Sequence, residues 1–231
     1  MSQSGLVDYV QTALRAGSDP DKAAGMQAYM KTDMPFYGVQ KAGRVKILRE
    51  IKTRFAPVTH QGYLDAVASL WELPHREEKY LAQAFAGSFR SYVIPGSLGM
   101  YRRFIVEGAW WDFVDETATH LIRELVLEFP DEIWPTVQAW ATDEDMWLRR
   151  TAILCQVGAK DRTDADRLFG FCSARAHEKE FFIRKAIGWA LRDYARTDPD
   201  AVARFVTEHR GELSHLSFRE ATKHIGHLVG A

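Results

Sequence analysis

Apolar residues recur every three or four positions along most of this chain, a spacing that confines it to helices. In GLVDYVQTALRA, Leu6, Val10 and Leu14 lie four apart. RVKILREI sets Val45, Leu48 and Ile51 on one side, and HLIRELVLEF repeats Leu121 with Ile122, Leu125 with Val126, and then Phe129. A helix turns about 100° per residue, so each set forms one stripe, whereas the alternation expected of strands is sparse. Roughly a dozen helices are expected on this period. They are punctuated at GSDPDK, DMPFYG, FAPVT, ELPHRE, YVIPGSLG, EFPDEIWP, GAKDRTD and ARTDPD, where Pro, Gly and Asp stop or cap helices. The connections are short, with no Ser/Gly-rich linker or low-complexity tract, so residues 1–231 read as one continuous domain. Helix pairs recur about every 35 to 45 residues, the period of HEAT and armadillo arrays, although no crisp repeat consensus is visible. This regularity favours an all-α superhelical solenoid of HEAT-like antiparallel helix pairs over a compact bundle. Its concave face would hold an extended partner.

Composition narrows the class. At 46% hydrophobic and 26% charged, the chain is that of an ordinary globular protein, and no run of 18 apolar residues is present to span a membrane. The start, MSQSGLVDYVQTALRAGSD, reads as a short amphipathic helix without the basic n-region and apolar h-region of a secretory signal, so a cytoplasmic location is expected. Cys155 and Cys172 sit in apolar helical surroundings without metal-ligand spacing and read as reduced core thiols. The eight histidines are scattered and no HExxH occurs, so neither a metal nor any other cofactor is expected. GSLG lacks the GK[ST] ending and preceding strand of a phosphate cradle. The net charge of −1 conceals a pattern: residues 1–106 hold 14 Lys/Arg against 9 Asp/Glu, 107–145 hold 1 against 11, and 146–196 hold 11 against 6. Two basic blocks flank an acidic one, which permits a polyanionic partner without requiring it.

Three helices break their own pattern. In WWDFVDETAT, a helix starting near Asp112 puts Trp110, Val114, Thr117 and Leu121 on a core-facing stripe. Trp111, Asp115 and Ala118 fall on the adjoining one, pairing an indole with a carboxylate one turn away. In EDMWLRRTAILCQV, the apolar face comprises Met146, Trp147, Ile153, Leu154 and Val157. Arg150 falls near its centre and Arg149 points well away. A guanidinium there needs an anion, either a protein carboxylate or a ligand phosphate, or a route to water. In EFFIRKAIGWALRDY, Ile183, Ala186, Ile187, Ala190, Leu191 and Tyr194 form the core stripe. Trp189 lies about 120° away beside Phe182 and Lys185, placed either to stack on a sugar, base or partner surface or to pack on a neighbouring repeat.

These segments, WWDFVD, MWLRRTAILCQ, FFIRKAIGWALRDYARTDP and the closing LSFREATKHIG, with the early MQAYMKTDMPFYGV, closely resemble the AlkD family of bacterial DNA alkylation-repair glycosylases. The resemblance runs in order over about residues 5 to 226. It implies a positively charged concave cleft that binds double-stranded DNA as a monomer and excises cationic N3- and N7-alkylpurines without rotating the lesion into a deep pocket. Residue by residue, it implies that Asp115 is the catalytic carboxylate, Trp111 and Trp189 are aromatic walls, Arg150 is the essential arginine, and Tyr29 is an aromatic from the N-terminal repeat. Tyr29, Arg149 and Lys185 are the candidate DNA-binding residues. Against this stands a non-catalytic helical-repeat module using the same face. A member without activity is expected to lack the aspartate or a tryptophan, and this chain keeps both.

Overall fold

The computed structural model describes residues 3–229, so Met1 and Ser2 of the expected N-terminal helix lie outside it, as do Gly230 and Ala231. The helical period holds throughout, and no strand occurs among the described residues. The fold is a helical solenoid. The chain forms two compact units that divide after Val93.

The N-terminal unit contains α1 (Gln3–Ala16), α2 (Pro20–Met30), α3 (Lys41–Arg54), α4 (His60–Trp71) and α5 (Arg76–Ser88). Leu6, Val10 and Leu14 of α1 are buried as their spacing demands. Burying an aliphatic side chain of this size contributes about 1.5–3 kcal/mol, which is what orients the helix. The α3 expectation is corrected: Ile47 and Ile51 face the core, whereas Val45 is 44% exposed. Ile51 serves both possible stripes, so local spacing alone did not separate them; packing of α3 on α1 and α5 did. Asp19 caps α2 through Lys22 N, and Thr59 caps α4 through Gly62 N.

The loop between α2 and α3 is held from within. Glu77, fully buried on α5, accepts the backbone N–H groups of Tyr37 (3.1 Å), Gly38 (2.8 Å) and Val39 (3.0 Å). Its neighbour Glu78 accepts the Tyr37 hydroxyl at 2.9 Å. Burial, reinforced by this acid, pushes the Tyr37 phenol up to about 12. Gly38 completes the turn at φ 88°, and a Cβ there would stand 2.0 Å from the Asp19 carbonyl oxygen.

The C-terminal unit is a two-layer stack. One layer comprises α6 (Leu98–Gly108), the irregular helix α7 (Trp111–Glu116) to α8 (Arg123–Glu128), α10 (Met146–Leu154), α12 (Phe181–Tyr194) and α14 (His215–Ala221). The other comprises α9 (Pro130–Trp140), α11 (Ala165–Ala174) and α13 (Pro199–Glu208). Helix α10 touches α6, α7 and α12 in its own layer and α9 and α11 in the other, and α14 packs along α12. One expected break does not occur: Pro135 lies inside α9. Pro135 is exposed, and so is Asp131, whose carbonyl would have received the missing N–H, so the proline lies on the solvent side of the helix. Trp110 and Tyr194, expected in the core, are only half-buried, Trp110 because it caps α7 in extended conformation.

Gly38→Ala is expected to lower stability by at least about 2 kcal/mol, because both the positive φ and the Asp19 backbone oppose a side chain. A denaturant titration reading the shift in midpoint at unchanged slope checks this.

Candidate active site

Helix α7 begins directly after a tight corner. Ala109 ends α6 at φ 40°, and a Cβ on Gly108 would meet the Phe113 Cβ at 2.9 Å, so α6 and α7 touch at closest approach. Trp111 and Asp115, four apart on α7, therefore emerge together on one face. Beyond Glu116 the helix widens into a π segment, Thr117–Ile122, in which the amide ladder shifts by one residue. Two threonine hydroxyls steady the widened turns: Thr117 donates to the Phe113 carbonyl and Thr119 to the Asp115 carbonyl, both at 2.8 Å. The irregular turn thus starts two residues after the carboxylate.

Arg150, on α10, settles which anion its position calls for. Its Nε and Nη2 donate to Oδ1 and Oδ2 of Asp115, each at 2.8 Å, a bidentate ion pair across α7 and α10. Nη1 donates to the Phe182 carbonyl at the start of α12. The partner is a protein carboxylate, and a phosphate contact is not required to explain the burial of Arg150. Behind the guanidinium, Trp110, Trp147 and Phe182 form a cluster with ring centroids 5.0–6.0 Å apart. Trp110 Nε1 is buried there without a hydrogen-bond partner. Burial pushes the Asp115 carboxyl above its usual value and Asp112 adds to this, while Arg150 opposes both.

A cleft of about 280 Å³ opens over this pair, lined by Trp111, Asp115, Arg150, Phe181, Phe182, Lys185, Trp189 and Arg192. Trp111 and Trp189, from α7 and α12, are half-buried on its walls. The four residues expected to form one site, Trp111, Asp115, Arg150 and Trp189, converge because α7, α10 and α12 are successive members of one layer. The model of DNA alkylation repair enzymes matches residues 10–225. The chain belongs to that family. Among solved structures it is similar to a "Predicted DNA alkylation repair enzyme from Enterococcus faecalis", at 27% identity over 90% of this chain and 96% of that one, with a TM-score of 0.82. No curated protein matches the chain.

The remaining candidates of this family member are placed differently. Arg149 turns away from the cleft. Its Nε and Nη2 donate to Glu178 at 3.0 and 3.1 Å, and Nη1 donates to the carbonyls of Asp143 and Glu144. With its donors turned to protein acceptors, Arg149 is a tie between α10 and the α11–α12 connection. Lys185 lines the cleft but is paired with Glu220 at 3.2 Å, and Arg192 donates to the same carboxylate. Burial alone would raise the Glu220 carboxyl, but the bonds from Arg192 and Lys185 outweigh it and hold it below the usual range. Tyr29 belongs to the N-terminal unit, 71% exposed on α2.

Arg192, Phe181 and Glu220 escaped the sequence reading. Arg192 follows Trp189 by three residues, a signal that was present; Glu220 is 28 residues further on and left none. The exposed cations of α3 were also unassigned. Lys41, Arg49 and Lys52 share a face within about 80° of one another, Lys46 lies beside them, and all four are exposed. Arg44 is instead drawn onto Tyr80 and the Val39 carbonyl, and Arg54 onto Tyr9. Among the described residues no three His, Cys, Asp or Glu side chains gather as metal ligands would. Cys155 and Cys172 are buried and free, with burial pushing both thiols well up.

Removing Arg150 strands a carboxylate that is only 17% exposed. Arg150→Ala is expected to cost about 2–4 kcal/mol, and Arg150→Ala combined with Asp115→Asn appreciably less than the sum of the two single changes. Thermal and denaturant unfolding of the three variants measures the coupling.

Proposed function

We propose that the protein is a DNA glycosylase that hydrolyses the N-glycosidic bond of cationic N3- and N7-alkylpurines, chiefly 3-methyladenine and 7-methylguanine, in duplex DNA. The observation that carries the reading is a single carboxylate, gripped on both oxygens by Arg150, at the base of a cleft walled by two indoles. Family membership makes alkylated DNA the substrate to which that geometry is matched.

The chemistry asks for little else. Alkylation at N3 or N7 leaves the purine positively charged. When the bond to C1′ breaks, its electron pair returns to the purine nitrogen and the base departs neutral. No general acid is needed, unlike glycosidases acting on neutral sugars, which use a carboxyl pair. Positive charge develops on the deoxyribose, and a fixed anion beside it lowers the barrier. Asp115 serves as that anion: each carboxylate oxygen has two lone pairs and Arg150 occupies one of each. Another lone pair orients the attacking water and accepts its proton. Arg150 is a positioning residue here, holding the carboxylate plane while the electron-rich faces of Trp111 and Trp189 flank the cationic sugar. Attack on a nucleotide left in the stack, and not on one rotated into a pocket, is the form of the reaction that the family resemblance implies. Lys185 and Arg192, which line the cleft, suit backbone phosphates, contacts that position DNA without reading sequence.

Methylated duplex DNA incubated with the protein is expected to release 7-methylguanine and 3-methyladenine. Asp115→Asn should reduce the rate roughly 100- to 1,000-fold, the scale of losing a preorganised charge at the reacting centre. Trp111→Ala should impair release while leaving the fold intact. Failure of the unmodified protein to release either base, or full activity in Asp115→Asn, overturns the reading. The reaction needs the Asp115 anion, and burial raises its carboxyl above the usual 3.8. The excision rate, corrected for spontaneous depurination, is therefore expected to fall on acidification at a pH above 3.8. Asp115→Asn should lack this acid limb.

A further inference from the structure

Helix α14 is drawn unusually close to α12 by one residue. A Cβ on Gly188 would lie 2.5 Å from the Glu220 Cβ and 3.1 Å from the Ser217 carbonyl oxygen, so only glycine admits this approach. Ser217 locks it by donating its hydroxyl to the Arg184 carbonyl at 3.0 Å. The approach lays Glu220 across the face of α12 between Lys185 and Arg192, which are two turns apart with Trp189 between them in sequence. One carboxylate oxygen takes Lys185 at 3.2 Å and the other takes Arg192. Both cations line the same cleft as Trp111, Asp115 and Trp189.

Two oxygens carrying one negative charge, each facing a different cation, is also the arrangement of the two non-bridging oxygens of a phosphodiester. The carboxylate is 19% exposed and Lys185 37%, so an incoming anion can reach the pair from solvent. The cations sit on the margin of the cleft, where the backbone flanking a nucleotide at Asp115 would run. We propose that Glu220 is an internal stand-in for a backbone phosphate: it holds Lys185 and Arg192 in the DNA-free protein and is displaced from them when duplex DNA enters the cleft. This rests on the reading that the cleft binds DNA. Glu220 then acts as a latch that weakens binding to any duplex and keeps the two cations extended along the cleft margin for exchange. The phosphate takes over both ion pairs and the carboxylate turns to water, with no covalent change.

The test is equilibrium binding of undamaged duplex DNA at low and moderate salt, which does not depend on excision. Glu220→Gln keeps the shape and removes the charge. Glu220→Asp keeps the charge and withdraws it by one methylene, so that it no longer spans both cations. Both are expected to tighten binding, Glu220→Gln by about three- to tenfold and Glu220→Asp by less. In a Lys185→Ala/Arg192→Ala background neither change should matter, because the latch then holds nothing. Thermal unfolding of each variant verifies the fold, and Glu220→Asp carries the test alone if Glu220→Gln does not fold. A general effect of negative charge near DNA would instead persist in the double-alanine background and leave Glu220→Asp unchanged. That result, or weaker binding by both variants, overturns the latch. If the unmodified protein binds DNA and the variants bind it no more tightly, the latch fails and the DNA reading stands. If no form binds duplex DNA, both fail.

Discussion

The bidentate ion pair between Arg150 and Asp115 organises the rest of the C-terminal unit. One guanidinium on α10 reaches α7 through both carboxylate oxygens and α12 through the Phe182 carbonyl, joining three successive helices of one layer. Taking both charges out of water is costly, and a pair of this kind is a poor source of stability compared with apolar packing. What it supplies is direction. An aspartate on an exposed helix face samples several rotamers, whereas one gripped at both oxygens presents its remaining lone pairs to a defined point. The Trp110, Trp147 and Phe182 cluster keeps water off the far side of the guanidinium and raises the penalty for any other arrangement.

The irregular turns after Glu116 belong to the same device. A regular helix from Trp111 to Glu128 would rotate the buried stripe of Leu121, Ile122, Leu125 and Val126 relative to the stripe holding Trp111 and Asp115. Inserting a π segment changes that phase, so one helix buries Leu121, Ile122, Leu125 and Val126 and still turns Trp111 and Asp115 towards the cleft. The hydroxyls of Thr117 and Thr119 add bonds to the Phe113 and Asp115 carbonyls at the entry to the widened turns.

Charge is partitioned in a way the net value of −1 hides. In the C-terminal unit many arginines are tied to acids: Arg149 and Arg175 to Glu178, Arg162 to Glu128, Arg167 to Asp164, Arg192 to Glu220. Much of the basic block from Met146 to Arg196 is therefore neutralised within the fold. On α3 the opposite holds, with five exposed cations, Lys41, Lys46, Arg49, Lys52 and Arg54, beside a single acid, Glu50. A near-neutral chain thereby keeps a strongly positive helix, because acids are placed where arginines serve as structural ties.

Much of this was legible in the sequence because helices are local objects. The 3.6-residue period determined the all-helical class, Pro, Gly and Asp determined most of the boundaries, and the rotation per residue was enough to separate Trp111 and Asp115 from the core stripe and to place Arg150 within one. Where two stripes competed, as on α3, local spacing was silent and Val45 was misplaced. Pro135 was read as a stop because its neighbours in sequence do not reveal that it lies on the solvent side of α9. Tertiary structure decided what lies between helices: that Arg150 meets Asp115, that Arg149 meets Glu178, and that Glu220 crosses α12 at Gly188. Those pairings span 28 to 35 residues. They depend on which helices become neighbours in a layer, a choice made by the packing of whole faces, and no periodicity within a single segment encodes it.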